Sequence, residues 1–155
     1  MRIGQGFDAH KFKKGDHIIL GGITIPYDKG MAAHSDGDVL IHALCDALLG
    51  AMSLGDIGQH FPDTDEEYNG IDSRILLRKV EEMMRQRGLY LVNADMTLIA
   101  QQPKLSPYIN AMRDNLAADL HTAKMNVSIK ATTTEQMGFC GRGEGIAAMA
   151  TVLIG

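Results

Sequence analysis

Apolar and polar positions along the chain alternate between a two-residue and a 3.6-residue period, so strands and helices both belong to its fold. Arg2–Phe7 reads as a short first strand, with Gly4 and Gly6 leaving room on one face. Ile18–Leu20 and Ile23–Ile25 flank Gly21-Gly22, the pattern of a hairpin closed by a two-residue turn. Val39, Ala43, Leu44, Ala47 and Leu48 form the stripe of a helix over Asp38–Leu49, which Ser35 or Asp36 can cap and Gly50 ends. The polar, Gly- and Asp-rich stretch 51–72 reads as a long loop, a length that inside a compact domain signals function or disorder. Ile75, Leu76, Val80, Met83 and Met84 point inward from a second helix over Ser73–Arg87, with Gly88 as its stop. Alternation returns at Leu89–Ala100, where Val92, Ala94, Met96 and Leu98 share a face opposite Asn93, Asp95, Thr97 and Ile99. Pro107 suits the first position of a third helix carrying Tyr108, Ile109, Met112, Leu116 and Leu120. Asn126–Thr132 predicts a strand with Val127, Ile129 and Ala131 inward, and Ile146–Ile154 a final apolar strand. This order predicts an α+β fold, a mixed β-sheet with helices packed on one face. No repeat or linker-like shift interrupts it, so 1–155 reads as a single domain.

Composition narrows the function classes. With 45% apolar and 22% charged residues the chain is neither disordered nor collagen-like nor a coiled coil. A formal net charge of -4 gives no basic footprint for nucleic acid or an anionic membrane. A phosphate ligand must then be held by a few placed groups, a metal or backbone N–H groups. Cys45 and Cys140 are too few for a disulfide framework and suit a reducing compartment. No apolar run approaches the ~18 residues of a membrane span, and the N-terminus lacks the apolar core of a secretory signal, so the cytoplasm is the expected location.

Several clusters could carry chemistry. In Asp8-Ala9-His10 the carboxylate and imidazole of a strand would project from the same face. His42 lies on the first helix, with Asp38 and Asp46 one turn away on either side. Two histidines and a carboxylate are the ligand set of an open catalytic zinc site; separate surface groups are the alternative. Ala33-His34-Ser35-Asp36-Gly37-Asp38 leads into that helix and reads either as an anion site of backbone N–H groups or as a plain cap. Gly55-Asp56-Ile57-Gly58 and Phe61-Pro62-Asp63-Thr64-Asp65 could bind hydroxyls or a hard cation, or could be Asx turns. Ala100-Gln101-Gln102-Pro103-Lys104 follows a strand and can offer backbone groups to a base, or simply turn. Thr132-Thr133-Thr134-Glu135 matches a capping box, or else supplies hydroxyls to phosphate and a carboxylate to Mg²⁺. The four glycines of Gly138–Gly145 do not spell the ATPase phosphate loop.

Taken together and in order, these segments resemble one family, the 2-C-methyl-D-erythritol 2,4-cyclodiphosphate synthases of non-mevalonate isoprenoid biosynthesis. The motifs are Arg2–His10, His34–Asp38 with His42, Gly55–Gly58, Phe61–Asp65, Ala100–Lys104, and Lys130 through Gly145. The resemblance implies an enzyme that cyclises a cytidine-diphosphate-linked methylerythritol 2-phosphate and releases CMP. It implies Zn²⁺ on Asp8, His10 and His42, one ion per subunit, with Mn²⁺ or Co²⁺ as other occupants. It implies Mg²⁺ or Mn²⁺ on the substrate diphosphate at Glu135, and His34 and Thr133 as transition-state stabilisers. Ser35, Asp56, Ile57 and Gly58, and Phe61, Pro62, Asp63, Thr64 and Asp65 match the methylerythritol-phosphate side, and Asp8, Ala9 and His10 match further substrate-binding positions. Ala100, Gln101, Gln102, Pro103, Lys104, Leu105 and Ser106, with Thr132, Thr134 and Glu135, match the cytidine and phosphate side. Phe139 and Arg142 match further substrate contacts near a subunit boundary. The family is homotrimeric, with active sites between subunits and a fold resembling trimeric chorismate mutase. The chain departs from the common pattern at Leu105, Glu66 and Asn69. A zinc-dependent phosphohydrolase and a non-catalytic metal- or nucleotide-binding module are the rival readings.

Overall fold

Gly4 and Gly6 govern how the first strand and the first helix meet. A Cβ on Gly4 would run into the Ala47 carbonyl, and one on Gly6 into the Ala43 carbonyl. Strand β1 (Arg2–Lys14) therefore lies directly against α1 (Val39–Ala51), closer than side chains would permit.

The computed structural model describes residues 1–155. After β1 come β2 (His17–Leu20), β3 (Ile23–Pro26), β4 (Lys29–Ala32), α1, and a short helix α2 (Ile57–His60). A 3₁₀ turn (Glu66–Tyr68), α3 (Ser73–Gln86) and β5 (Leu91–Ile99) follow. The remainder is a 3₁₀ turn (Ser106–Tyr108), α4 (Ile109–Asp119), a 3₁₀ turn (Lys124–Asn126), β6 (Val127–Thr132), α5 (Gly138–Gly141) and β7 (Gly145–Ile154). Five strands form one sheet in the order β4-β1-β7-β5-β6, and β2 and β3 form a separate hairpin. The β5–β6 pair is parallel and the other neighbours are antiparallel, which makes the sheet mixed.

Inward residues of β1, β7 and β5 alternate with exposed ones, so one face is covered and the other open. Helix α1 packs on β1 and β7 and against α3, while α4 packs on β6. Because α1 is enclosed on nearly every side, Val39, Leu40, Ile41, Ala43, Leu44, Cys45, Ala47, Leu48 and Leu49 are all buried. The α+β class with helices on one face of a mixed sheet is thus observed.

Buried polar groups tie these layers together. Asp38 caps α1 by accepting from Ile41 N–H (3.1 Å) and also accepts from Gly21 (3.0 Å) and Gly22 (2.8 Å) in the β2–β3 turn. Burial and the Asp36 charge push its carboxyl up to about 6, and the three N–H donors pull against that. Gly21 (φ 57) and Gly22 (φ 72) both take positive φ, the type I′ turn expected of a two-residue hairpin. Asp119 accepts from Arg74 (2.7 and 3.0 Å) and Arg78 (3.1 Å), joining α4 to α3.

Several boundaries differ from the sequence expectation. β1 runs on to Lys14 because its far half pairs with β4, a four-residue strand too short and too glycine-bearing to show a period. Asp38 is the cap rather than Ser35 or Asp36, and Gly50 lies inside α1, which ends at Ala51. The 51–72 stretch contains α2 and a 3₁₀ turn, capped by Asp56 and Asp65. Ile75 and Ala131 are exposed, and Pro107 sits in the 3₁₀ turn before α4. Thr132–Glu135 starts no helix, since Glu135 (φ 53) and Gln136 (φ 65) turn the chain the other way, so the capping box is not formed.

Adding one methyl group should distinguish the two kinds of glycine. Gly6→Ala is expected to lose about 2–3 kcal/mol or more in denaturant unfolding, as overpacking against fixed backbone does. Gly50→Ala, whose Cβ would meet only Gln5 O at 3.9 Å, is expected to gain up to about 1 kcal/mol.

Candidate active site

The face of β1 that presents Gly4 and Gly6 to α1 also presents Asp8 and His10, because all four share one parity. Beyond those glycines α1 carries His42, whose ring reaches the same point. Asp8 Oδ2, His10 Nε2 and His42 Nδ1 form a near-equilateral triangle with sides of 3.0, 3.1 and 3.1 Å. Tetrahedral zinc with bonds near 2.0–2.1 Å would space its donors about 3.3 Å apart. The donor set and its spacing fit a zinc-type ion with a fourth position open to the cavity, and all three residues are partly buried.

Charge supports the cluster. Burial would raise the Asp8 carboxyl, but hydrogen bonds and charge from His10 and His42 bring it down to about 2. Burial works to lower His42, and the hydrogen bond that its ring donates to Asp8, with nearby carboxylate charge, overcomes this and raises it. The second ring nitrogen of His42 meets Ser73 Oγ (2.9 Å) and Ser35 Oγ (3.1 Å). Neither Asp38 nor Asp46, its neighbours one turn away, holds it. Asp38 is occupied by the cap and hairpin, and Asp46 accepts from Ile57 N–H (2.7 Å), which pins the start of α2 beside the cavity.

A cavity of about 340 Å³ opens over the triangle. Of the residues singled out in the sequence, Asp8, His10, His34, Ser35, His42, Ile57, Gly58, Phe61 and Asp63 line it. His34 Nε2 is buried there without a hydrogen-bond partner. Asp56, Pro62, Thr64 and Asp65 are exposed on the surrounding loop, where Asp56 and Asp65 act as Asx caps. Ala9 faces the opposite side of β1 and lines a shallow depression with Phe139. Within 33–38 the N–H groups of Asp36, Gly37 and Asp38 are taken by Ile71 O, Ser35 Oγ and Asp36 Oδ1. Tyr68, Ile71 and Leu76 also line the cavity but were not singled out in the sequence. An aromatic inside a polar loop was the one signal available for Tyr68, whereas Leu76 looked like ordinary helix core.

A second cavity of about 300 Å³ gathers Ala100, Gln101, Gln102, Pro103, Lys104, Leu105 and Ser106 with Ala131, Thr132 and Thr133. Gln136 N–H donates to Gln101 Oε1 (3.0 Å), and Glu135 N–H to Thr133 Oγ1 (3.2 Å), so the two loops are fastened together. Thr134 and Glu135 lie on this turn outside the lining, and the Glu135 side chain has no cation partner. Phe139 is exposed, and Arg142 pairs with Glu144 at 2.8 Å. The two cavities have no lining residue in common.

The whole chain, residues 1–155, matches the YgbB family. It is 62% identical over 154 residues to the 2-C-methyl-D-erythritol 2,4-cyclodiphosphate synthase of Thioalkalivibrio sulfidiphilus, covering 99% of this chain and 96% of that one. It superposes with a TM-score of 0.95 and 43% identity on the bifunctional IspDF of Campylobacter jejuni, covering 99% of this chain and spanning 42% of that longer one. A CDP-bound structure of a 2C-methyl-D-erythritol-2,4-cyclodiphosphate synthase superposes with a TM-score of 0.91 and 38% identity, covering 99% of this chain and all of that one.

If the triangle holds a metal, His10→Ala and His42→Ala should each lose bound zinc in metal analysis while keeping native circular dichroism. Full occupancy in both would rule the cluster out. The raised pKa of His42 sets the pH sign. The protonated ring stabilises the metal-free fold below its unfolded pKa, and this is lost as pH rises through the folded value. Metal binding must displace that proton, so zinc titrations should show weaker binding and greater proton release as pH falls towards 6.

Proposed function

The chain belongs to the YgbB family, and from that footing we infer that it is a cyclising, CMP-releasing synthase acting on 4-diphosphocytidyl-2-C-methyl-D-erythritol 2-phosphate. An oxygen of the 2-phosphate bonds to the β-phosphorus, and the bond from that phosphorus to the oxygen bridging the α-phosphorus breaks. CMP leaves with the bridging oxygen, and 2-C-methyl-D-erythritol 2,4-cyclodiphosphate remains. No water and no protein nucleophile enter the balance. The observation that carries the reading is the three-donor triangle, set in a cavity, in a chain related to such synthases from end to end.

Nucleophile and leaving group already belong to one molecule, so the protein's task is to fold the substrate and offset its charge. Asp8, His10 and His42 would hold Zn²⁺ in this reading, and Glu135 would hold Mg²⁺. Bound there, the two cations supply positive charge to the reacting diphosphate and polarise its phosphorus. His34 lines the cavity and its buried Nε2 has no partner, which supports a role in donating towards developing negative charge, and Thr133 steadies the phosphates. Ser35, Asp56, Ile57 and Gly58, with Phe61 through Asp65, take the methylerythritol-phosphate side, and the Asp63–Asp65 loop keeps water from the phosphorus. The 100–106 loop with Thr132 and Thr134 takes the cytidine side. An acidic chain can handle a polyanion on these terms, because cations and placed donors replace a basic surface.

The same reading includes a homotrimer of the chorismate-mutase type. The metal cavity and the 100–106 cavity share no lining residue within one chain, which agrees with a substrate that reaches both across a boundary between copies. The open face of the sheet supplies a surface for it: Ile3 (73% exposed), Phe7 (53%) and Met149 (45%) stand there, with Phe7 opposite Met149. Two free, buried cysteines, Cys45 and Cys140, agree with the cytoplasm as the working compartment, and no helix is long and apolar enough to cross a membrane.

Run in ¹⁸O-water, the purified chain should yield CMP and a cyclic product, neither carrying solvent oxygen. Solvent label in an uncyclised phosphate product would make it a phosphohydrolase, and a stable complex without CMP would make it a binding module. Glu135→Gln is expected to slow turnover by at least about tenfold without loss of fold, since the side chain is exposed and makes no contact that the fold needs. Light scattering should give a mass about three times 16.8 kDa, and a value near 16.8 kDa would contradict the trimer.

A further inference from the structure

The ring of His42 is held from behind by a hydroxyl, and that hydroxyl is held by a carboxylate. Ser73 is fully buried at the first turn of α3, 31 residues from His42, and its Oγ lies 2.9 Å from His42 Nε2. The same Oγ donates to Asp36 Oδ1. Asp36 is committed as an acceptor on both oxygens, since Oδ1 also takes Asp38 N–H (3.0 Å) and Oδ2 takes Ser73 N–H (2.9 Å). A serine hydroxyl has one proton. Once that proton is given to Asp36, the oxygen can only accept from His42, so the proton on the ring must sit on Nε2. In the neutral ring Nδ1 is then left with its lone pair, 3.0 Å from His10 Nε2, whose N–H can donate to it. Asp8 Oδ2, at 3.1 Å, takes a hydrogen bond from Nδ1 only when the ring carries a second proton there, the proton that a metal displaces.

We propose that Asp36 and Ser73 form a positioning latch that fixes His42 in the Nε2–H tautomer and so readies Nδ1 for a metal before any metal arrives. Neither residue touches the metal triangle or lines the cavity above it. Their part is to select the tautomer, fix the ring plane and raise the basicity of the ligand nitrogen, as partners behind a ligating imidazole do. Ser35 Oγ, 3.1 Å from the same nitrogen, also accepts from Gly37 N–H and lines the cavity, so it remains free to turn towards a ligand while Ser73 keeps the ring. The latch also links the metal site to the packing of α3. The segment before α1 and the start of α3 are joined by Asp36, and the Asp36 N–H donates back to Ile71 O (3.2 Å).

The inference rests on the metal reading of Asp8, His10 and His42, and it is tested with zinc and cobalt alone, in the absence of substrate. Ser73→Ala keeps the backbone N–H to Asp36 and removes only the hydroxyl. It should bind either ion about 10–100-fold more weakly than the unaltered chain, while Ser73→Thr restores most of the loss. Nitrogen-15 NMR of the histidine rings, recorded above the pH at which His42 takes up its second proton, should show His42 as a single Nε2–H tautomer in the metal-free protein, and a mixture or the other tautomer in Ser73→Ala. A general loosening of the fold would not be rescued by threonine, nor would it select one tautomer. Unchanged affinity in Ser73→Ala, or an Nδ1–H tautomer in the unaltered chain, would overturn the latch alone. Failure of the unaltered chain to bind either ion would overturn the metal reading together with it.

Discussion

The contact between β1 and α1 sets a separation between strand and helix that side chains larger than hydrogen would not permit. Gly4 lies under the Ala47 carbonyl and Gly6 under the Ala43 carbonyl. Because strand residues two apart share a face, the line that begins with these glycines continues to Asp8 and His10. Because α1 lies along that line, its residue beyond Ala43 is His42. The triangle of donors with 3.0–3.1 Å sides therefore follows from a packing contact made at Ala43 and Ala47, the next residue of the helix and the following turn. A wider gap between the elements would part His42 from the Asp8–His10 pair on the strand.

Such a cluster also has to be held open in a protein interior, where unmatched polar groups are costly. The carboxylates behind the site do this by each serving more than one element. Asp38 caps α1 and anchors the β2–β3 turn, Asp36 joins the loop before α1 to the start of α3, and Asp46 holds the first residue of α2. Each is met by backbone N–H donors, which offset part of the cost of burying its charge. The one buried side-chain polar atom near the cavity left without a partner is His34 Nε2, which leaves it free for a ligand.

How much of this is legible in the sequence depends on the range of the interaction. Gly21-Gly22 between two apolar triplets specifies its turn locally, and the structure has both glycines at positive φ. Asp8-Ala9-His10 likewise fixes a shared face within three residues, and the regular stripe around His42 fixes a helix. β4 escaped because Lys29-Gly30-Met31-Ala32 has no period, and it forms a strand only because β1 is there to pair with it. Asp38 was readable as helix but not as the cap, since its choice depends on a hairpin 16 residues earlier. Ser73 had no visible role, because its partners, Asp36 and His42, are 37 and 31 residues away. The motif resemblance supplied the substrate chemistry, which neither periodicity nor composition could have reached.

The central claim is that this packing builds one metal site from a strand and a helix. Anomalous X-ray diffraction collected on both sides of the zinc absorption edge, from crystals grown with zinc, addresses it directly. The account predicts one strong peak bonded to Asp8 Oδ2, His10 Nε2 and His42 Nδ1 at about 2.0–2.2 Å, with a fourth ligand from the cavity. No peak at that position, or an ion bound to His42 through Nε2, would contradict it.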